Sequence, residues 1–154
     1  MKIATWNVNG IRARATQLHE WLERDRPDVV CLQELKAELA QVPEAVQRQD
    51  YHAFWHCCKG YSGVSLQLRK DSFPAEPVYG HPPFGLESRA MDPDNAGLFT
   101  WWAPWRNLRA RNIGWRLDYM LASAGLFARA RSCVVQADVG TSDQAPLVME
   151  AVSW

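Results

Sequence analysis

The chain has 154 residues, a length that favours one domain, and 47% of them are apolar, which excludes an intrinsically disordered protein. Its formal net charge is zero, which excludes a uniformly basic nucleic-acid binder but allows a local basic surface. The sequence has no apolar run of about 20 residues, no signal pattern and no metal-binding spacing among its four cysteines, so we expect a cytoplasmic protein with reduced thiols and no membrane partner.

The predicted elements begin with a β-α-β unit. A β-rich stretch at 2–6 predicts the first strand, and residues 16–24 carry apolar side chains at helical spacing. Pro27 ends that helix, and the apolar stretch at 28–32 is typical of a buried parallel strand. The unit has a suitable length for a right-handed crossover between parallel strands.

A second group of elements follows along the chain. The sequence predicts a helix at 43–49 and two paired strands, 52–56 and 63–69, joined by a tight turn. The proline-rich stretch 73–84 predicts an extended segment or an edge strand. A turn-rich loop at 91–97 comes after it, followed by three more strands at 117–121, 130–136 and 147–152. We therefore expect an α/β (α+β) domain in which few helices cover the sheets.

Charge is unevenly distributed along the chain. Residues 20–50 hold eight acidic residues against four basic ones, whereas 106–131 hold six arginines and a single acidic residue, Asp118. Four of the eight tryptophans lie within 99–119, beside the arginines. This pattern favours a polyanion bound on one side of the protein, and its alternative is a chance cluster on a solvated surface.

Polar side chains follow the first two predicted strands. Asn7, Asn9 and Arg12 come after the first strand, and Glu34 comes after the second. The carboxyl ends of strands are where α/β sheets usually place ligands. Spacing alone leaves two interpretations of Glu34 open, a surface carboxylate or a ligand of a hard cation.

The two ends of the chain resemble one family. The stretches TWNVNG, QELK, NIGWRLDY and SDQAP are similar, in order and in detail, to the exonuclease III and abasic-site endonuclease group of the endonuclease–exonuclease–phosphatase family. The resemblance implies a truncated two-sheet sandwich flanked by helices, forming one domain over 1–154. Its amino-terminal half is 1–91 and its carboxyl-terminal part is 92–154, and the family's central block, with an Asp-x-Asn pair, has no counterpart.

The resemblance also implies roles for individual residues. Asn7, Asp118, Asp143 and Gln144 match catalytic positions, and Gln144 stands where the family has a histidine. Glu34 and Asp143 match positions that hold Mg²⁺ or Mn²⁺. A further set matches groups that bind DNA: Asn9, Arg12, Gly60, Tyr61, Trp101, Arg109, Asn112, Trp115, Arg116 and Leu117. Within that set, the tryptophans and the leucine match a pocket for an extruded abasic sugar.

Three functions stay open at this point. The first is a metal-dependent DNA phosphodiesterase acting at abasic or nicked sites or at 3′ ends in DNA repair, with weak turnover. Its weakness is expected because a lost general base removes about 10²–10⁴-fold in rate. The second is a catalytically inactive DNA-binding module, and the third is a non-functional deletion form.

The missing block has two further consequences. Asp92, Asp94 and Asn95 lie beside the join and offer a replacement Asp and Asn, although such residues are also usual in turns. Removal of strands from inside a sheet exposes edges, which favours a homodimer that pairs those edges.

Overall fold

The computed structural model describes residues 1–57, 60, 62–77, 99–115, 117–118 and 124–152. The strands of this part of the chain form one six-stranded sheet: β1 Lys2–Asn7, β2 Val29–Gln33, β3 Tyr51–His56, β4 Val64–Arg69, β5 Ala130–Val135 and β6 Leu147–Ala151. Their order across the sheet is β3-β4-β2-β1-β6-β5. β1 runs parallel to β2, and every other neighbouring pair is antiparallel. The sheet therefore places the carboxyl ends of β1 and β2 side by side near its centre.

The predicted β-α-β unit is present. Helix α1, Ala15–Asp25, buries its apolar stripe and packs Trp21 edge-on against Trp6 of β1, with ring centroids 5.5 Å apart. Arg26 adopts the left-handed conformation that commonly closes a helix, and its N–H donates to the Leu22 carbonyl at 3.1 Å. Pro27 cannot continue the helix, so the chain enters β2 directly.

The predicted helix at 43–49 is wrong. The chain there forms only a short 3₁₀ turn, Glu44–Val46, preceded by another at Leu39–Gln41. Within the turn Glu44–Val46 only Val46 is buried, so a longer helix would lack an apolar face to bury. One further short helix, α2, spans Ala124–Phe127.

The other predicted elements have mixed outcomes. β3 and β4 pair as the expected antiparallel hairpin, and β5 and β6 match the last two predicted strands closely. No strand forms at 73–77 or 117–118, and the rest of the predicted stretches 73–84 and 117–121 lies outside the described residues, as does the loop 91–97.

The α/β class is confirmed, with few helices around a six-stranded sheet. The named strands of the described residues all belong to this one sheet, so the second sheet of the expected sandwich is not seen in that part of the chain. None of the described helices has the length and apolar character needed to cross a membrane.

Candidate active site

Residues in left-handed conformation follow both central strands. Asn9 after β1 has a φ of 46°, and Glu34 and Lys36 after β2 have φ values of 53° and 51°. For residues with a side chain this conformation costs about 1 kcal/mol each. Backbone hydrogen bonds hold them, since the Gly10 N–H donates to Glu34 O and the Lys36 N–H to Ser62 O, both at 2.8 Å. Strain of this kind clusters at functional sites.

The side chains on these two loops form one polar network. Asn7 Nδ2 donates to Glu34 Oε1 at 2.9 Å, and Lys36 Nζ lies 2.9 Å from Glu34 Oε2. Lys36 Nζ also donates to Asn9 Oδ1 at 2.6 Å. The Glu34 side chain is still 39% exposed, so its carboxylate is oriented by two donors while it faces solvent.

The tryptophan-rich segment forms the opposite wall. Trp101 and Trp115 pair as an isolated β-bridge, with the Trp115 N–H donating to the Trp101 carbonyl at 2.8 Å. A Cβ on Gly114 would lie 2.5 Å from that carbonyl oxygen, so only glycine permits the bridge. Buried Thr100 accepts from the Leu117 and Asp118 N–H groups at 2.9 and 3.0 Å, which fixes the position of Asp118.

Asp143 connects the two walls. Its Oδ1 accepts from Asn9 Nδ2 at 2.7 Å, and its Oδ2 accepts from Trp101 Nε1 at 2.8 Å. The turn before it packs closely against Trp6 because Gly140, at a φ of 67°, has no Cβ. A Cβ there would lie 2.8 Å from the Trp6 ring. Buried Ser142 donates from Oγ to the Asn7 carbonyl at 2.9 Å.

Gln144 lies between the first strand and the tryptophan wall. With its side-chain amide oriented so that both of its groups are paired, Oε1 accepts from Asn7 Nδ2 at 2.7 Å and Nε2 donates to the two Asp118 carboxylate oxygens at 3.0 and 3.1 Å. The backbone carbonyl of Gln144 accepts from Trp6 Nε1 at 3.2 Å, and the residue is only 8% exposed. The amide therefore joins Asn7 to Asp118 without any group that titrates near neutral pH.

These contacts enclose a cleft of about 530 Å³. The described residues that line it are all predicted site residues: Asn7, Glu34, Trp101, Trp115, Leu117, Asp118, Asp143 and Gln144. Its floor presents carboxylate and amide groups, and Trp115 at its rim is 51% exposed. An oxygen-rich floor under an aromatic rim suits a ligand that combines a charged group with a flat or apolar one.

The remaining predicted DNA contacts lie elsewhere. Arg12, Gly60 and Asn112 are exposed and do not line this cleft, and Tyr61 and Arg116 fall outside the described residues. Asn9 and Arg109 line a second cleft that borders Asp143. The Arg109 guanidinium donates to the carbonyls of Ala137, Val139 and Ser142, and burial lowers its pKa from the ordinary value.

The sequence reasoning did not identify several residues that shape the site. Thr100 and Ser142 hold backbone at the cleft, and Lys36 bridges Glu34 to Asn9. Lys36 sits two positions after Glu34 at a strand end, which is a usable signal. Ser142 begins the family-like stretch SDQAP, whereas Thr100 lies in none of those stretches, and the contacts of both depend on which loops the fold brings together.

Comparison with known proteins gives this cleft a context. Residues 4–84, more than half of the chain, match the Endonuclease/Exonuclease/phosphatase family. The chain belongs to this family. Members of the endonuclease/exonuclease/phosphatase family typically depend on a divalent metal ion.

A relative extends the match over most of the chain. An exodeoxyribonuclease of Bacillus subtilis is 23% identical over 250 aligned positions, which cover 96% of this chain and 98% of that protein. Since this chain has 154 residues, at least 96 of those positions have no residue of this chain.

Two solved structures share the fold. An AP endonuclease from Archaeoglobus fulgidus superposes with a TM-score of 0.78 at 20% identity, covering 99% of this chain and all of that one. A substituted form of the 3′ phosphatase NExo from Neisseria, bound to product DNA hairpin, also gives 0.78, at 21% identity and with full coverage of both chains.

The residues of this cleft fit a divalent cation held by few protein ligands. No group of three or more His, Cys, Asp or Glu side chains within the described ranges is arranged to hold a metal ion. Mg²⁺, however, is usually held by one or two carboxylates, with water and substrate oxygens completing its shell. Glu34 and Asp143 line the same cleft and offer only oxygen ligands, which is the donor set that such a cation prefers.

Proposed function

We propose that this chain is a metal-dependent DNA phosphodiesterase that acts at abasic or nicked sites or at 3′ ends during DNA repair, with weak turnover. The observation that carries this proposal is the cleft in which Asn7, Glu34, Asp118, Asp143 and Gln144 lie beneath an aromatic rim. The relatives support it, because they include an exodeoxyribonuclease, an AP endonuclease and a DNA-bound 3′ phosphatase.

Each side chain has a role that its contacts suggest. Glu34, together with Asp143, would hold Mg²⁺ or Mn²⁺, which when bound acts as a Lewis acid and lowers the pKa of a bound water. Asn7 and Gln144 present amide groups at the cleft floor, where they orient Glu34 and Asp118. Asp118 would accept a proton or a hydrogen bond from the attacking water.

Substrate recognition follows from the cleft rim. Trp115, Trp101 and Leu117 form an apolar surface next to the polar floor, which suits a deoxyribose that has lost its base. A nucleotide without pairing is extruded from the duplex most easily. Exposed Arg12, Gly60 and Asn112 would contact strand phosphates, and we extend the same proposal to Tyr61, Arg109 and Arg116.

Weak turnover follows from two features of the chain. The many aligned positions without a residue of this chain support loss of the family's central block, and with it the Asp-x-Asn pair. Gln144 replaces a histidine with an amide that has no proton to exchange. Each loss costs on the order of 10²-fold or more, although such effects do not add within one catalytic unit.

A second function is favoured by one observation. The Gln144 side-chain amide is hydrogen-bonded to Asn7 on one side and to Asp118 on the other. This arrangement suits a stable site without catalytic activity. A DNA-binding module without catalysis would retain the cleft and its rim. It would show binding that weakens with salt and no metal-dependent strand cleavage.

The test uses an end-labelled duplex with one abasic-site analogue, incubated with Mg²⁺ or Mn²⁺. Glu34→Gln should reduce cleavage at least about 100-fold, since it removes the charge that would hold the cation. Glu150→Gln is the matched control, because Glu150 is an exposed carboxylate on β6 that lies outside the cleft. Equal cleavage by both variants would contradict the role of Glu34, and no cleavage by the parent chain would favour the binding module.

We also propose that the chain acts in the cytoplasm as a dimer that pairs sheet edges. β5 is an edge strand, and its Val134 side chain is 54% exposed. Unpaired edges readily add a further strand. Light scattering on the purified protein should give twice the chain mass, and Val134→Lys should return it to the monomer mass.

A further inference from the structure

A second cleft lies next to the first and shares Asp143 with it. It has a volume of about 390 Å³ and is lined on one side by Asn9 and Arg14 and on the other by Trp102 and Arg109. Gln17 Nε2 donates to Thr141 Oγ1 at 3.3 Å, so helix α1 and the 140–142 turn are linked beside it. A ligand that crosses Asp143 would enter both clefts.

Arg14 is the feature of this cleft that its surroundings do not explain. Its Nε atom is buried and has no hydrogen-bond partner among the described residues. Leaving a buried donor of a charged group unpaired is expensive, so such groups usually face a ligand, an ion or water. Arg14 also precedes α1 directly, and α1 has no acidic residue in its first turn to pair with it.

A second buried donor lines the same cleft. Trp102 is only 2% exposed, and its Nε1 also lacks a partner within the described residues. The Arg109 guanidinium lies 4.9 Å above the Trp102 ring, where its hydrogen bonds to three carbonyls hold it in place. The cleft thus combines a fixed cation, a partly buried cation with an unpaired donor, and an indole donor.

Among the described residues that line this cleft, basic side chains outnumber acidic ones. Arg14 and Arg109 oppose one lining carboxylate, Asp143, both of whose oxygens already accept hydrogen bonds from Asn9 and Trp101. A planar guanidinium matches an oxyanion such as phosphate, and Arg14 Nε is a donor without a partner among the described residues. Phosphates recur along a nucleic-acid strand, so a strand held in the first cleft carries another phosphate beyond the reacting one.

We propose that the second cleft is a phosphate subsite in which Arg14 receives a backbone phosphate of the bound DNA strand. The proposal rests on the proposed function for the source of that phosphate, and free inorganic phosphate offers the same chemistry. Arg109 shapes the subsite through the turn that leads to Asp143, and Arg14 supplies the unpaired donor.

The experiment compares Arg14→Gln with Arg24→Gln, which makes the same change in charge at an exposed position of α1 that lines neither cleft. Arg14→Gln should weaken binding of abasic duplex DNA about 5- to 20-fold in fluorescence anisotropy. It should also reduce the slope of log affinity against log salt by about 1, whereas Arg24→Gln should change neither quantity. Unchanged affinity and slope in Arg14→Gln would overturn the strand-phosphate subsite.

A second measurement separates the sources of the phosphate and keeps the test independent of the proposed function. Inorganic phosphate should raise the melting temperature of the parent chain but not that of Arg14→Gln, with sodium chloride at equal ionic strength as the reference. A phosphate effect with no change in DNA binding would assign the cleft to free phosphate and overturn the strand source. If the parent binds no DNA, the proposed function fails. If inorganic phosphate raises the melting temperature of both proteins equally, the proposed subsite is overturned.

Melting temperature also distinguishes a ligand role from a structural one. An unpaired buried donor does not stabilise the fold, so Arg14→Gln without ligand should melt at the same temperature as the parent or higher. A large drop would mean that Arg14 serves the fold and would overturn its assignment as a ligand-binding group.

Discussion

One carboxylate residue lies immediately before strand β2 and another immediately after it, and the two have different surroundings. The Asp28 side chain, immediately before β2, is 11% exposed, and it accepts from the Lys2 N–H at 2.6 Å, from Ser72 Oγ and from Arg69 Nη2. Glu34, immediately after β2, adopts a left-handed backbone, and its side chain is 39% exposed in the cleft.

This difference shows which features separate a structural carboxylate from a functional one. The Asp28 network is closed, because its donors belong to the fold and Asp28 lines neither of the two clefts. The Glu34 network extends through Asn7 and Gln144 to Asp118 along the floor of a cleft. Asp28 and Glu34 are both carboxylate residues held by several hydrogen bonds. Glu34 differs in its left-handed backbone conformation and in lining a cleft that a ligand can enter.

The largest effect on stability is expected at the closed end of the strand. Asp28→Ala would leave the Lys2 N–H, Ser72 and Arg69 without their acceptor, which should lower the free energy of unfolding by about 2 kcal/mol. Urea denaturation measures this change, and metal-dependent cleavage at low temperature should persist. Asp71→Ala is the control, since Asp71 is 76% exposed and pairs only loosely with Arg26, at 3.7 Å. Equal losses in both variants would contradict the special role of Asp28.

A smaller effect is expected at the functional end. Gln144→His would place an imidazole between Asn7 and Asp118, where an imidazolium donates to the carboxylate and faces the substrate phosphate. Cleavage should rise about 10-fold, and the pH–rate profile should gain dependence on a group that titrates near about pH 6.5. A reduced rate, with DNA binding intact, would show that the amide is the better occupant of this position.

The smallest effect is the acid dependence of stability. Burial raises the pKa of Asp28, but hydrogen bonds from Ser72, the Lys2 N–H and Arg69 outweigh it and leave the pKa below the ordinary value of 3.8. A lowered folded-state pKa stabilises the fold above pH 3.8, and this contribution is lost as the pH falls through the folded-state pKa. Melting temperatures between about pH 7 and pH 2 should therefore fall less steeply in Asp28→Asn than in the parent, and parallel curves would contradict this origin.

The sequence predicted the β-α-β unit because its apolar spacing changes sharply from a strand pattern to a helical one, with Pro27 as the boundary. It failed at 43–49, where helix-forming residues lack an apolar face and local turns form instead. The residues predicted to be catalytic or to hold metal do line one cleft, because the order of the family-like stretches predicts contacts between residues far apart in the sequence. Most of the predicted DNA-binding residues lie outside that cleft or outside the described residues. Thr100, Ser142 and Arg14 escaped prediction, since the role of each depends on a neighbour far away in the sequence.

The central claim is that the strand-end network around Glu34 binds a cation and a DNA strand together. Fluorescence anisotropy with labelled abasic duplex tests it directly, with Ca²⁺ as a hard cation and sodium chloride at equal ionic strength as the reference. We expect Ca²⁺ to tighten binding by the parent and by Asp28→Asn, and to have no such effect on Glu34→Gln. An affinity that responds to Ca²⁺ equally in all three proteins, or in none of them, would contradict the claim.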